Sequence, residues 1–545
     1  MPKFRLILLF IFLPLVFLAQ TPVSSFYWVK LKDKKGTPYQ ISKPESFLSQ
    51  RAIDRRIRQH LSVDETDLPV SQVYVDSLKK RAFEIIHSSK WLNGVTVKTA
   101  DTAQVRKIKS LPFVVSVELT KPGTTLKSAS LKFDETEIVY DLVNYGAAIS
   151  QLTQLNGQYL HQNGFRGKGI RIAVLDAGFW HVNEITAFDS LRATNRILAT
   201  RDLVDPKSDI YQQHSHGMSV LSCMGGNIPG KMIGTAPDAS YYLIRTEDAA
   251  TEYPIEEDNW LAGAELADSL GADVINSSLG YSTFDDAAMN HLYADMDGKK
   301  TRITQGANLA FQKGILVVTS AGNEATNSWK RIIAPSDGEN VIGVAAVDKN
   351  GGRAPFSSVG PAFGGAVKPN VAALGWNTYL VTSSGVLGNS SGTSFSSPVL
   401  AGMIACLLQA NSYASAVQVK KAIEQSANQY SKPDSLLGYG IPDFGKADKY
   451  LKINFSPDLQ MESEFAVLPN PFRDHLLIRK RDLTSFNECL VSVYNLQGIC
   501  LKQEKFANSG NILMKNLEGL PVGVLIMTIQ RGSHKERFKL IKTAW

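Results

Sequence analysis

Through the middle of the chain, short continuous apolar runs alternate with segments of helical period. Ile170–Leu175, Tyr241–Ile244, Val274–Asn276, Ile315–Ser320 and Val341–Val347 read as buried strands, with helix-like segments such as Trp260–Leu270 between them. This alternation predicts an α/β domain around a largely parallel sheet, with functional residues where the strands end. Ahead of it, residues 20 to 130 mix strand patterns at Phe26–Leu31, Gly94–Lys98 and Val114–Leu119 with helix patterns at Pro44–Gln59 and Val70–Phe83, a small α+β domain. After residue 456 the period falls to two. Leu476–Lys480, Leu490–Leu496, Ile512–Asn516, Val522–Gln530 and Arg537–Lys542 predict a small β-sandwich.

A chain of 545 residues is too long for one core and agrees with about three folded units. At the N-terminus, Lys3 and Arg5 precede the apolar run Leu6–Leu18, which ends at Ala19-Gln20. That run is short for a membrane span and reads as a secretory signal peptide, residues 1–19. No cysteine follows the cut to carry a lipid, and no later segment is apolar enough to hold the chain in a membrane. Charge is unevenly spread: residues 20–130 hold 19 Lys and Arg against 10 Asp and Glu, whereas residues 131–455 hold 25 against 32. The basic pI of 8.9 therefore belongs to the N-terminal segment and is not read as a nucleic-acid signal. A basic module ahead of an acidic one predicts mutual docking. Of the four cysteines, Cys223 and Cys406 sit in apolar helix-like runs that suit buried thiols, while Cys489 and Cys500 lie in adjacent strand-like segments and can pair.

Candidate chemistry centres on Asn389–Gln409, a small-residue loop that runs into an apolar helical segment. Gly392 and the flanking serines let a substrate backbone approach Ser394, and Pro398 suits a first helical turn. A serine there sits where free N–H groups and the helix dipole favour negative charge, as an acyl-transfer oxyanion requires. The loop alone reads more readily as a Ser/Gly cap on a core helix; upstream residues reverse that. Asp176 closes the first strand of the α/β region, His216 stands beside Gly217 ahead of a helix-like run, and Asn323 follows the Ile315–Ser320 strand. The glycines at 164, 167 and 169 precede their strand, so a dinucleotide-binding fingerprint fails on order.

In the blocks VLDAG at Asp176, HGM at His216, AGN at Asn323 and GTSFSSP at Ser394, the chain resembles the subtilisin-like serine peptidases, and Asp, His, Ser is that family's order. Gly234-Thr235-Ala236-Pro237 and Ser278-Leu279-Gly280 resemble further family segments, the latter a substrate-binding edge. Met218 and Phe395 depart from the family's usual threonine and methionine, which bears on pocket shape rather than chemistry. The resemblance implies a subtilisin-like parallel sheet with helices on both faces. It also implies Ser394 as nucleophile, His216 as base, Asp176 as its orienting carboxylate, and Asn323 as oxyanion donor, acting on protein or peptide substrates with no required cofactor.

Two rival readings are a catalytically inactive peptide-binding relative and a metal-dependent hydrolase using Asp176, His214 and His216. The acidic stretch 247–258 either favours basic groups in substrates or docks the basic N-terminal domain; a solvated loop or a structural calcium site is the plainer alternative.

Residues 47–56 and 89–93 resemble prosegments of Bacteroidetes-type subtilases, implying that 20–130 is the enzyme's own inhibitor and chaperone, cut off between about 120 and 145. The stretches Leu468–Phe472, Val493–Gly498 and Leu520–Gly523 resemble the C-terminal sorting domain of the type IX secretion system, implying partnership with that machinery. The expected division is therefore 1–19, 20–130, a peptidase domain at 131–455 and a sorting β-sandwich at 456–545. The expected destination is the medium or the outer-membrane surface, reached through the periplasm. A carbohydrate-binding sandwich is the alternative for the tail, but the exposed aromatic row it needs is not evident.

Overall fold

The computed structural model describes residues 24–123, 145–455, 465–480, 486–509, 511–532 and 534–543. The expected signal peptide, the 456–464 junction and nearly all of the stretch expected to be cut lie outside these residues. The chain divides into two compact units, 1–448 and 449–545.

In the first unit, seven parallel strands run in the order Val371–Leu374, Ile342–Val347, Leu316–Ser320, Val274–Ser277, Arg171–Asp176, Ser240–Arg245, Ile197–Asp202. Side chains alternate between the two faces of each strand. Ala173, Leu175, Ile275 and Val317 share a core with Trp260, Leu261, Ile303 and Ala307 from the helices Ile255–Leu270 and Arg302–Gln312. The opposite face carries Asn276 and Val344, and there the Thr393–Ala410 helix lies down: Ser397 Oγ donates to Asn276 Oδ1 at 2.9 Å. The sheet is thus covered on both faces, as its continuously apolar strands require.

The Thr393–Ala410 helix is 18 residues long and apolar enough to cross a membrane by length and composition, yet 83% of it is buried inside the domain. It is therefore the core helix of this sheet, and the expectation that no later segment is so apolar is corrected. Pro398 is also not in its first turn; it is the sixth helical residue.

The N-terminal domain is a four-stranded antiparallel sheet, ordered Glu84–Ser89, Gly94–Thr99, Ser25–Leu31, Val114–Lys121. One face packs on the helices Gln72–Lys79 and Thr102–Ile108 through Val29, Leu31, Val95, Val97, Leu78 and Ile108. From the other face, Trp28 and neighbouring Trp91 join the core around Trp260. The helix pattern at Pro44–Gln59 resolves into a short turn at Pro44–Ser46 and a helix at Gln50–Arg58, capped by Ser49.

The basic domain docks on the acidic one through buried charge. Arg55 Nη2 and Arg56 Nη2 reach the two oxygens of Asp268 at 2.5 and 3.0 Å, and Lys90 Nζ adds a third cation at 3.2 Å. Glu265, one turn earlier on the same helix, accepts from Ser89 Oγ at 2.5 Å and from the N–H groups of Lys90 and Trp91 at 2.9 and 3.1 Å. Burial alone would raise the Asp268 pKa, but the three cations hold it well below the usual carboxylate range.

The second unit, described by itself, has a three-stranded and a four-stranded antiparallel sheet. The first holds Phe465–Leu468, Leu476–Lys480 and Asn511–Met514; the second runs Cys500–Ser509, Phe486–Tyr494, Gly523–Arg531, His534–Lys542. Both contribute to one core that includes Leu476, Ile478, Val491, Val493 and Met527. All four cysteines are free thiols. Cross-strand register puts Cys489 opposite Phe506 and Cys500 opposite Tyr494, so the two point to ladder positions far apart and cannot bridge.

Candidate active site

The Arg171–Asp176 strand delivers the buried carboxylate of Asp176 to the carboxyl edge of the sheet, between neighbours Ser240–Arg245 and Val274–Ser277. Ala177 N–H donates to Asp176 Oδ1 at 2.8 Å, and Arg245 Nε ties down the Ala177 carbonyl at 3.0 Å. His216 opens the helix His216–Gly225 and donates Nδ1–H to the same Asp176 oxygen at 2.8 Å. Two glycines permit that approach. A Cβ on Gly217 would lie 2.4 Å from the Gly178 carbonyl oxygen and 2.8 Å from Asp176 Cβ, and one on Gly178 would lie 2.4 Å from the His214 nitrogen. Burial pulls the His216 pKa down, but the Asp176 charge and hydrogen bond, with the Glu247 charge beyond, outweigh it and leave it raised.

Ser394 is the second residue of its helix and is buried at 6% exposure. Its N–H lies in the first turn, where intrahelical acceptors do not exist. Pro398 has no N–H to give the Ser394 carbonyl, four residues earlier, and Ser278 Oγ donates there instead at 2.7 Å. Ser394 Oγ in turn donates to the Ser278 carbonyl at 3.3 Å, a long bond that is readily exchanged. The His216 ring lies 6.1 Å, centroid to centroid, from Phe395, the residue after Ser394.

Asn323 follows the Leu316–Ser320 strand, and its Oδ1 accepts from Thr393 N at 2.9 Å and Thr393 Oγ1 at 3.0 Å. With the oxygen so occupied, the amide presents Nδ2 as its donor. Sequence reasoning did not single out Thr393, although it stands inside the GTS block. Ser278 and Leu279 are each 5% exposed, and Gly280 is packed so closely that a Cβ would meet Ile333 Cδ1 at 2.6 Å. The Gly234–Pro237 block serves packing: a Cβ on helix residue Gly402 would lie 2.0 Å from Thr235 Oγ1.

His214 Nδ1 accepts from the His216 backbone N–H at 3.3 Å, while His216 Nδ1 is held by Asp176. Among the described residues, no group of three or more His, Cys, Asp and Glu side chains is disposed to hold a metal. Nor is the 247–258 stretch a solvated loop: Glu256, Glu257 and Asp258 are buried in the first turn of the Ile255–Leu270 helix.

An α/β domain with a carboxylate–imidazole pair at the sheet's carboxyl edge and a serine at the start of its core helix is the framework of a serine hydrolase. Residues 167–440 match the family model described as the subtilase family, half of the chain, and the chain belongs to that family. It is a serine-type endopeptidase of subtilisin type. Residues 26–135 match the peptidase S8 propeptide domain of Bacteroidota, and residues 466–543 match a secretion system C-terminal sorting domain, which marks a secreted or surface-attached product. Among similar proteins, subtilisin NAT of Bacillus subtilis subsp. natto is 27% identical over 359 residues, 65% of this chain and 80% of its own. A thermostable alkaline protease of Halalkalibacterium halodurans is 26% identical over 378 residues, 68% and 93% respectively. Subtilisin of Bacillus pumilus is 28% identical over 280 residues, 51% and 90%.

Proposed function

We propose that Asp176, His216 and Ser394 hydrolyse peptide bonds through an acyl-enzyme, and that the chain is made as a precursor that removes its own prosegment. In this reading, residues 1–19 are the signal peptide, 20–130 the prosegment, 131–455 the peptidase domain and 456–545 the sorting domain. The observation that carries it is the 2.8 Å contact between His216 Nδ1 and Asp176 at the edge where Ser394 begins its helix.

The Ser394 hydroxyl exchanges its bond to the Ser278 carbonyl for one to His216 Nε2. As Oγ attacks the scissile carbonyl carbon, His216 takes the proton, and Asp176 holds the imidazole tautomer and stabilises its cation. The carbonyl oxygen, now an oxyanion, accepts from Ser394 N–H and Asn323 Nδ2. Collapse expels the amine with the proton from His216; water then repeats the sequence on the acyl-enzyme. Ser278, Leu279 and Gly280 form an edge for the substrate backbone. An activated nitrophenyl ester should give a burst of one nitrophenol per enzyme before steady turnover, insensitive to chelator. Burst-free, chelator-sensitive release would contradict the reading and favour the metal-dependent alternative.

Asn323→Ala removes one oxyanion donor, and with it the acceptor of Thr393 N–H and Oγ1. Its kcat should fall by about 100- to 1,000-fold with KM little changed, the size of loss known for such a donor in subtilisin itself. Equal loss in KM would point to substrate binding instead. The acid limb follows from His216, which is active only when neutral. Because its pKa is raised above the ordinary 6.5, activity should be lost as pH falls through a value above 6.5. A limb below 6.5 in kcat/KM would contradict the charge environment described.

A further inference from the structure

Residues 247–258, running from beyond the Ser240–Arg245 strand into the first turn of the Ile255–Leu270 helix, carry six acids, and three of them are taken. Asp248 faces prosegment Lys121 at 3.4 Å, Glu257 bonds His291 at 2.5 Å, and Asp258 bonds Arg302 Nε at 2.8 Å and accepts from Thr96 Oγ1 at 3.1 Å. Glu247, Glu252 and Glu256 remain. Glu256 is wholly buried, and among the described residues neither of its carboxylate oxygens has a hydrogen-bond partner. Burial, then the nearness of Glu252 and Glu247, pushes its carboxyl well above the ordinary range, and Glu252 is raised likewise. Burial, followed by the charge of Asp176, pushes Glu247 up to about 7. A buried carboxyl without donors is costly, and a row of them more so.

The row stands beside the catalytic groups. Glu247 feels the charges of both Asp176 and His216 and accepts from Tyr281 OH at 3.2 Å, next to the Ser278–Gly280 edge. Glu247 and Glu252 are only half-buried, which leaves an approach from the surface. In the precursor a prosegment cation already sits at the rim: Lys121, ending the Val114–Lys121 strand, donates to Thr251 Oγ1 at 2.8 Å and lies 5.6 Å over the Tyr253 ring.

We propose that Glu247, Glu252 and Glu256, with the Tyr281 hydroxyl, form a subsite for one Lys or Arg side chain of the substrate near the scissile bond, opened when Lys121 departs with the prosegment. The guanidinium or ammonium supplies donors to both Glu256 oxygens and charge to the whole row. This rests on the peptidase reading above.

The test uses processed enzyme and peptide series in which one position at a time carries Arg, Lys or Gln, with kcat/KM expressed per fluorophosphonate-titrated site. At one position the enzyme should prefer Arg or Lys over Gln by about 100-fold, and Glu252→Gln/Glu256→Gln should cut that preference to about 10-fold or less. If the double variant does not fold, the half-buried Glu247→Gln should still lower the preference several-fold. Titratable enzyme that cleaves Arg and Gln peptides alike at every position overturns the subsite, as does a preference unmoved by either variant. Calcium that stabilises wild type but not Glu252→Gln/Glu256→Gln, with no basic preference, makes the row a metal site and overturns it too. Enzyme that neither labels nor cleaves overturns the peptidase reading, and this one with it.

Discussion

A chain lacking residues 1–19 and carrying Ser394→Ala should stay full length where wild type sheds its N-terminal domain, and its turnover should fall by about a million-fold. That is the size of loss known for removal of the nucleophilic serine in subtilisin itself. The Ser394 backbone is held by Ser278 Oγ on its carbonyl at 2.7 Å, and Thr393 is held by Asn323; neither contact uses the Ser394 hydroxyl. The helix start therefore survives with the Asn323 amide and the Ser394 N–H in place, and only the hydroxyl is lost, which in the proposed mechanism is the attacking group. Its neighbours differ. Ser397 Oγ donates to Asn276 Oδ1 at 2.9 Å and Ser396 Oγ to the Val344 carbonyl at 3.4 Å, so these serines hold the helix to the sheet. Intact mass separates the outcomes: a shortened Ser394→Ala chain, in the absence of other proteases, would remove Ser394 from the mechanism.

The second large effect is on prosegment docking. Asp268 is wholly buried, as are Arg55 and Arg56 at 1% side-chain exposure, and Lys90 is nearly so. Asp268→Asn preserves shape but leaves three cations facing a neutral amide, with only Asp67 still paired to Arg56. Breaking a buried pair from one side costs roughly 3–5 kcal/mol, or about two to four orders of magnitude in affinity. In the full-length protein, the cleaved prosegment should travel with the wild-type enzyme on gel filtration and separate from Asp268→Asn. A fragment that co-elutes equally with both would show that Trp28 and Trp91 against Trp260 bear the docking, and the charges little.

How much of this was legible in the sequence depended on burial pattern. The five strands read from continuous apolar runs are all present within a residue or two. The two outermost, Ile197–Asp202 and Val371–Leu374, were missed; one mixes polar residues along an edge exposed to water, and the other is four residues of small and medium side chains. The polar edge strand Cys500–Ser509 was read only as a strand-like segment at Cys500, its extent hidden for the same reason. Net charge announced that the N-terminal domain would dock, but not where. Asp268 and Glu265 lie on a helix the pattern did identify, and nothing local distinguishes them from surface acids until the prosegment covers them. Asp176, His216, Asn323 and Ser394 were singled out through their blocks. Thr393, which turns the Asn323 amide, and Ser278 Oγ, which replaces the N–H that Pro398 lacks, are relations across 70 and 116 residues that only a fold brings together.

The most direct test of the central claim is to label the folded, processed protein with a fluorophosphonate and locate the adduct by peptide mass spectrometry. One adduct per chain on Ser394, absent from His216→Ala and from heat-denatured protein, is the expected result. An adduct on another residue, or none on protein that nonetheless hydrolyses peptides, would contradict Ser394 as the nucleophile.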